Sequence, residues 1–145
     1  MTNKILGAGI IAIDLTNGKI LLGRRGWGGE HENTWAPFGG TYDHVDEHPK
    51  VTAEREFREE TKCSVPYKIS KTPFDIRNNN HVEFYLYLGL FDSAFEVQIN
   101  NENLGYGWFD LDELPDNLLP GFYDTINEKK EELRKIINSH KKQIQ

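Results

Sequence analysis

The chain has 145 residues, a formal net charge of −6 at pH 7, 37% hydrophobic and 12% aromatic residues, and one cysteine. That length suits a single domain over residues 1–145 with its own core, and the apolar content excludes a disordered chain. The acidic balance argues against broad nucleic-acid binding, which draws on clustered Lys and Arg meeting phosphates. Cys63 has no partner for an internal disulfide and the N-terminus lacks a charged-then-apolar leader, so a cytoplasmic setting is expected. The longest apolar stretch, Ile5 to Ile13, is too short to cross a bilayer, so no membrane segment is expected.

Ile5 to Asp14 has strand composition, which resumes at Lys19 to Leu22 after Asn17-Gly18, a dipeptide that favours a hairpin turn. Arg24, Arg25, Gly26, Trp27, Gly28 and Gly29 read as a flexible loop of the kind that touches ligand. Trp35 to Phe38 is expected to be extended, because the residue before Pro37 is steered away from helix. Gly39-Gly40 predicts a sharp bend where backbone approaches backbone or ligand closely. From about Glu47 to Lys62 the residues favour helix, with Pro49 tolerated in the first turn and Ala53 and Phe57 on the buried side.

Val65 to Arg77 and His81 to Phe91 predict two neighbouring strands joined through Asn78-Asn79-Asn80. In the second, Tyr85 and Tyr87 alternate with Phe84, Leu86 and Leu88, so one set is expected to face the core and the other a cleft. Gly105 to Phe109 predicts a short strand. A last helix is expected from near Tyr123 to about Ser139, with Ile126, Leu133 and Ile137 at helical spacing, before a frayed end at Lys141 to Gln145. Interspersed strands and helices, with neither repeats nor a linker, predict an α/β fold: a mixed β-sheet flanked by helices.

The chemistry concentrates in the predicted acidic helix. Glu56, Glu59 and Glu60 stand at i, i+3 and i+4 and share one face, where like charges repel and weaken an isolated helix. A hard divalent cation, Mg²⁺ or Mn²⁺, relieves that repulsion, since it prefers oxygen ligands and keeps waters and phosphate oxygens in its shell. Through such a cation an acidic protein can hold a phosphorylated small molecule.

Residues Gly40 to Cys63 resemble the Nudix box, G-x5-E-x7-R-E-U-x-E-E-x-G-U with U apolar. Glu47 to Arg55 keeps the family spacing, and Arg55-Glu56-Phe57-Arg58-Glu59-Glu60 fits without a gap. There are two departures. Six residues rather than five separate Gly40 from Glu47, and Lys62 replaces the last glycine, at a helix end that often takes a left-handed conformation. The resemblance implies a Nudix-type α/β/α sandwich along nearly the whole chain. It implies Mg²⁺-dependent hydrolysis of a pyrophosphate bond in a nucleoside diphosphate derivative: a nucleoside triphosphate, a nucleotide sugar or a dinucleotide.

By the same resemblance Glu56, Glu59 and Glu60 hold the metal with the Gly40 carbonyl as a further ligand, or one of the three acts as base toward water. Glu102, six residues before Trp108, joins as metal ligand or base. Arg55 and Glu47 are implied to brace the loop and orient a metal-binding glutamate. For the substrate, Arg24 and Arg25 either clamp phosphates or cap a strand end. Trp27, Trp35 and Phe38 either stack on a base or pack, and Tyr85 is a candidate for the cleft face. The scattered histidines lack the spacing of a zinc site.

Two rivals stand beside the hydrolase. A catalytically silent Nudix-fold nucleotide sensor would be expected to lose box glutamates, and this chain keeps them. A diphosphate isomerase would bring a cysteine and glutamate pair to the cleft, and Cys63 lies at the wrong end of the helix. The expected partner is a small nucleotide-type molecule, with two strands and an aromatic loop compatible with a homodimer. Residues after Cys63 match none of the signatures that would narrow the substrate further.

Overall fold

The computed structural model describes residues 4–29 and 31–141. Strand β1 (Ile5–Asp14) is the spine of a mixed sheet, buried from Gly7 onward. It turns back through Asn17-Gly18 into the antiparallel β2 (Lys19–Arg25), with Gly18 at φ 74° and the Asp14 carboxylate accepting from the Thr16 N–H at 2.9 Å. On the same edge β4 (Phe38–Thr41) runs antiparallel to β1, and on the other edge β7 (Val82–Phe91) runs parallel to it from Ile5↔Val82 to Asp14↔Phe91. On the edge of β2 that also meets β1 lies β3 (Trp35–Ala36), on its far edge β8 (Asn103–Phe109), and beyond β7 lie β5 (Lys68–Ile69) and β6 (Asp75–Asn78).

A helix covers each face. Side chains alternate across a strand, so β1 and β7 each feed two cores. α1 (Pro49–Thr61) lays Ala53 and Phe57 on Ala8, Ile10, Tyr87 and Phe91. α2 (Pro120–Lys141) lays Phe122, Ile126, Leu133 and Ile137 on Ile11, Ile13, Leu86 and Leu88. α1 begins on the His48 cap with Pro49 in its first turn. It ends on Lys62 at φ 58°, whose N–H donates to Arg58 O at 2.9 Å. None of the helices is long and apolar enough to cross a membrane among the described residues.

Several expectations change. Both faces of β7 carry core, Tyr87 on the α1 side and Leu86 and Leu88 on the α2 side, while Phe84 and Leu86 also border a cavity beside α2. Gly39 and Gly40 make no bend: they lie in β4, and positive φ among described glycines is confined to Gly18 and Gly28. Their close approach is real, since a Cβ on Gly39 would stand 2.6 Å from the Gly9 α-carbon. Arg24 and Arg25 extend β2 rather than opening a loop. The stretch from Val65 to Arg77 breaks at Lys71-Thr72-Pro73 into β5 and β6, because proline cannot donate to the ladder. β8 begins at Asn103, and α2 begins at Pro120, a residue suited to a first helical turn. Lys141 closes α2, and the rest of the predicted frayed end, residues 142–145, lies outside the described residues.

Candidate active site

A cleft of about 910 Å³ opens between α1, β4, the end of β2 and residues 100–103. Its walls carry Glu56, Glu59 and Glu60 from α1, Glu102 from the turn before β8, and Arg25 and Trp27 from the end of β2 and the turn after it. Helical spacing accounts for the first three, while Glu102 arrives through the β2–β8 pairing, where the Gly26 N–H donates to Glu102 O at 2.8 Å. Burial, more than any other influence, raises Glu56 above the usual carboxylate range, against the pull of Arg55. Burial first and then the Glu102 charge push Glu60 up to about 7, opposed by the Asn103 amide, whose Nδ2 donates to Glu60 Oε2 at 2.9 Å.

Arg55 joins this face to the loop before it. Its Nε and Nη2 donate to the two carboxylate oxygens of Asp46 at 2.9 and 2.8 Å, and Nη1 donates to Glu56 at 2.9 Å and Glu59 at 3.4 Å. Nη2 also reaches Thr41 O at 3.1 Å. Asp46, 3% exposed, further accepts from the Thr52 hydroxyl and the Asp43 N–H, each at 2.9 Å. Its hydrogen bond from Arg55 is the chief cause holding its carboxyl well below the usual range. The expected brace was Glu47, and the structure corrects it. A 3-10 turn at His44–Asp46, closed by Asp43 and Asp46 as a capping box, places Asp46 inward and leaves Glu47 exposed at φ 64°. The extra loop residue thus falls after the bracing acid, and Gly40-x5-Asp46 restores the first spacing of the box.

The glycine pair also divides its work differently. The Tyr42 N–H donates to Leu6 O at 2.8 Å. Hydrogen-bonded pairs recur every second residue in an antiparallel ladder, so Gly40 bonds its register partner Ala8. Consistently, Gly40 O lies 2.9 Å from where a Cβ on Gly7 would stand, toward β1. The free carbonyl on the open edge of β4 is that of Gly39. Gly40 serves by lacking a side chain, since a Cβ there would collide with the Glu56 carboxylate.

The remaining substrate candidates separate. Arg25 and Trp27 line the cleft, with Trp27 66% exposed at its mouth. Arg24 turns to the other side of β2, where its Nε donates to Asn33 Oδ1 at 2.5 Å. Phe38 lines the cleft floor yet is 4% exposed, packed so tightly that a Cβ on Gly23 would lie 2.5 Å from its ring. Trp35 packs edge-on against Phe109. Tyr85 shares the α1 face but stands across β1 from β4, outside the cleft, and donates its hydroxyl to Glu83 at 2.5 Å. Asp46, Gly39 and Asn103 escaped sequence reasoning; leaving five residues after Gly40 and looking for an acid at the sixth would have found Asp46, while nothing local marks Asn103.

The donor set is all oxygen, carboxylates with a strand-edge carbonyl beside them, which suits a hard divalent cation. Among the described residues no group of three or more His, Cys, Asp or Glu side chains already converges to hold one. Glu56 is instead turned to Arg55 and Glu60 to Asn103. Both contacts can persist while the second carboxylate oxygen ligates, so the residues fit the ion.

The family model for the NUDIX domain matches residues 4–129. No curated protein matches the chain. Among solved structures, the NUDIX domain of Shewanella oneidensis NrtR complexed with ADP ribose superposes with a TM-score of 0.71 at 20% identity, covering 92% of this chain and 90% of that one. A MutT protein from Methanosarcina mazei Go1 gives 0.70 at 20% identity over 90% and 96%. A bifunctional NMN adenylyltransferase/ADP ribose pyrophosphatase from Francisella tularensis, complexed with AMP and a Mn ion, gives 0.66 at 20% identity over 92% of this chain. The match spans only 43% of that longer protein. These identities show a shared fold.

Proposed function

The chain belongs to the Nudix family of pyrophosphohydrolases, matched over residues 4–129, and from that premise we propose that it cleaves the pyrophosphate bond of a nucleoside diphosphate derivative with Mg²⁺ or Mn²⁺. Glu56, Glu59, Glu60 and Glu102, with the Gly39 carbonyl, would hold the cation. Once bound, the ion supplies charge neutralisation on phosphate oxygens and a more acidic water. Arg25, at the exposed end of β2, binds a phosphate that the carboxylates alone would repel. Trp27 offers its ring to a base at the cleft mouth. An adjoining apolar cavity of about 400 Å³, walled by Phe84, Leu86, Leu119 and Phe122, shares Arg25 and the β4 glycines with the cleft and gives the rest of the substrate room. Asp46 keeps Arg55 in place, and Arg55 in turn restrains Glu56 and Glu59.

The observation that carries this reading is the meeting of four carboxylates, from α1 and from the turn before β8, in one open cleft beside an arginine and an exposed tryptophan. The test is incubation of pure protein with Mg²⁺ and a panel of nucleoside triphosphates, nucleotide sugars and dinucleotides. Expected products are a nucleoside monophosphate and a second phosphorylated product, lost in Glu59→Gln and Glu60→Gln. Tight nucleotide binding without turnover on any panel member would replace the hydrolase with a nucleotide sensor.

A further inference from the structure

We propose that Asn103 is a positioning residue of the acidic site, fixing one oxygen of Glu60 so that the other is presented to a divalent cation. The proposal rests on the metal-dependent hydrolysis argued above and adds a residue that the Nudix box does not contain. Asn103 opens β8, half-buried, and its Nδ2 donates to Glu60 Oε2 at 2.9 Å.

The strand register explains how it gets there. Gly105 lies opposite Arg24 and Asn103 opposite Arg25, with the register shifting between the two pairs so that Leu104 has no partner. Directly opposed residues of an antiparallel pair share a face. In an unbroken strand Asn103 and Gly105, two apart, would share one face, that of Arg24 and away from the cleft. The extra residue breaks the alternation, a bulge of the kind that re-aims a side chain beside a site. Asn103 therefore falls on the face of Arg25, and these two line the cleft while Arg24 does not. Leu104, left out of the pairing, is 38% exposed.

The residue type suits the task. Glu56 is gripped by a cation, Arg55, which neutralises part of its charge. An amide donor on Glu60 restrains its carboxylate without supplying a positive charge that would compete with a metal for it. The backbone N–H of Asn103 also donates to Asn100 O at 3.3 Å, tying the side chain's origin to the turn that carries Glu102.

The test is a double-mutant cycle read by Mn²⁺ binding, with free Mn²⁺ followed by electron paramagnetic resonance. Asn103→Leu, which keeps bulk and removes the donor, is expected to raise the Mn²⁺ dissociation constant about tenfold, the weight of one hydrogen bond to a charged group. In a Glu60→Gln background the same change should add nothing, because its effect runs through Glu60. Asn103→Ala serves the same cycle should the leucine variant not fold. Unchanged Mn²⁺ affinity in a folded Asn103 variant overturns the proposal and leaves the hydrolase reading standing. So does an equal loss with and without Glu60. A panel without turnover, but with the Asn103 effect intact, overturns the hydrolase reading alone, and a wild-type protein that binds no Mn²⁺ overturns both.

Discussion

Arg55 holds Asp46 by a two-nitrogen, two-oxygen clasp, Nε on Oδ1 at 2.9 Å and Nη2 on Oδ2 at 2.8 Å. The pair connects the loop after β4 to the acidic face of α1, because the same guanidinium continues to Glu56 and Glu59. Asp46→Ala should therefore lower kcat/KM by about 10- to 100-fold, the usual cost of losing a group that orients a ligand. Glu47→Ala, at an exposed position, should leave kcat/KM within about twofold and the thermal midpoint within about 2 °C. Steady-state kinetics and thermal denaturation of the two variants give the comparison. Equal losses would return the bracing role to Glu47.

The glycines of β4 predict two different failures. A methyl on Gly40 meets the far end of the Glu56 side chain, which can move, so Gly40→Ala should fold and lose activity on the order of 100-fold as the carboxylate is displaced. A methyl on Gly39 meets backbone, with Ala8 O at 2.5 Å and the Gly9 α-carbon at 2.6 Å, so Gly39→Ala should fail in stability first. Expression yield, thermal midpoint and kcat for both proteins separate the outcomes. A Gly40→Ala enzyme of normal activity would contradict the packing of Glu56 on that strand.

Stability should depend on acid through Asp75, which is 5% exposed between β6 and α2. Burial is the largest influence on it and pushes upward. Hydrogen bonds from Arg77 and Thr125 and the charges of Arg77 and Lys129 outweigh that, so its net direction is down. A depressed carboxylate stabilises the fold fully above its unfolded value of about 3.9, and that contribution is lost as pH falls through the lower folded value. Asp75→Asn should thus be less stable than wild type at pH 7 and lose less on acidification below about pH 4. Urea denaturation midpoints across that range decide it, and parallel pH curves for the two proteins would refute the assignment.

Lys62 predicts a gain. It ends α1 at φ 58° with an exposed side chain, a conformation that favours glycine. Lys62→Gly should stabilise the protein by about 1 kcal/mol, near 3 °C in thermal midpoint for a domain of this size. Calorimetry should show that increase with kcat unaltered. A lower midpoint would mean that the lysine makes a compensating contact.

Much of this molecule follows from short-range pattern. The β1–β2 turn is written in Asn17-Gly18, the buried side of α1 in Ala53 and Phe57, and the shared face of Glu56, Glu59 and Glu60 in helical spacing alone. Each depends on neighbours a few residues away, so a local energy preference decides it before any distant strand arrives. The left-handed end at Lys62 was legible only through the resemblance, because that position is a glycine in the family pattern.

What tertiary structure decided are the matters of facing and register. Whether Asp46 or Glu47 turned inward depended on a 3-10 turn packing under Arg55, and whether Tyr85 reached the cleft depended on β7 lying across β1 from β4. The free carbonyl passed to Gly39, and Asn103 reached Glu60, through pairings with β1 and β2. Side chains and carbonyls alternate along a strand with a period of two, so a one-residue change in long-range pairing reverses what each residue faces. Composition and spacing carry no record of that parity; the assembled sheet does.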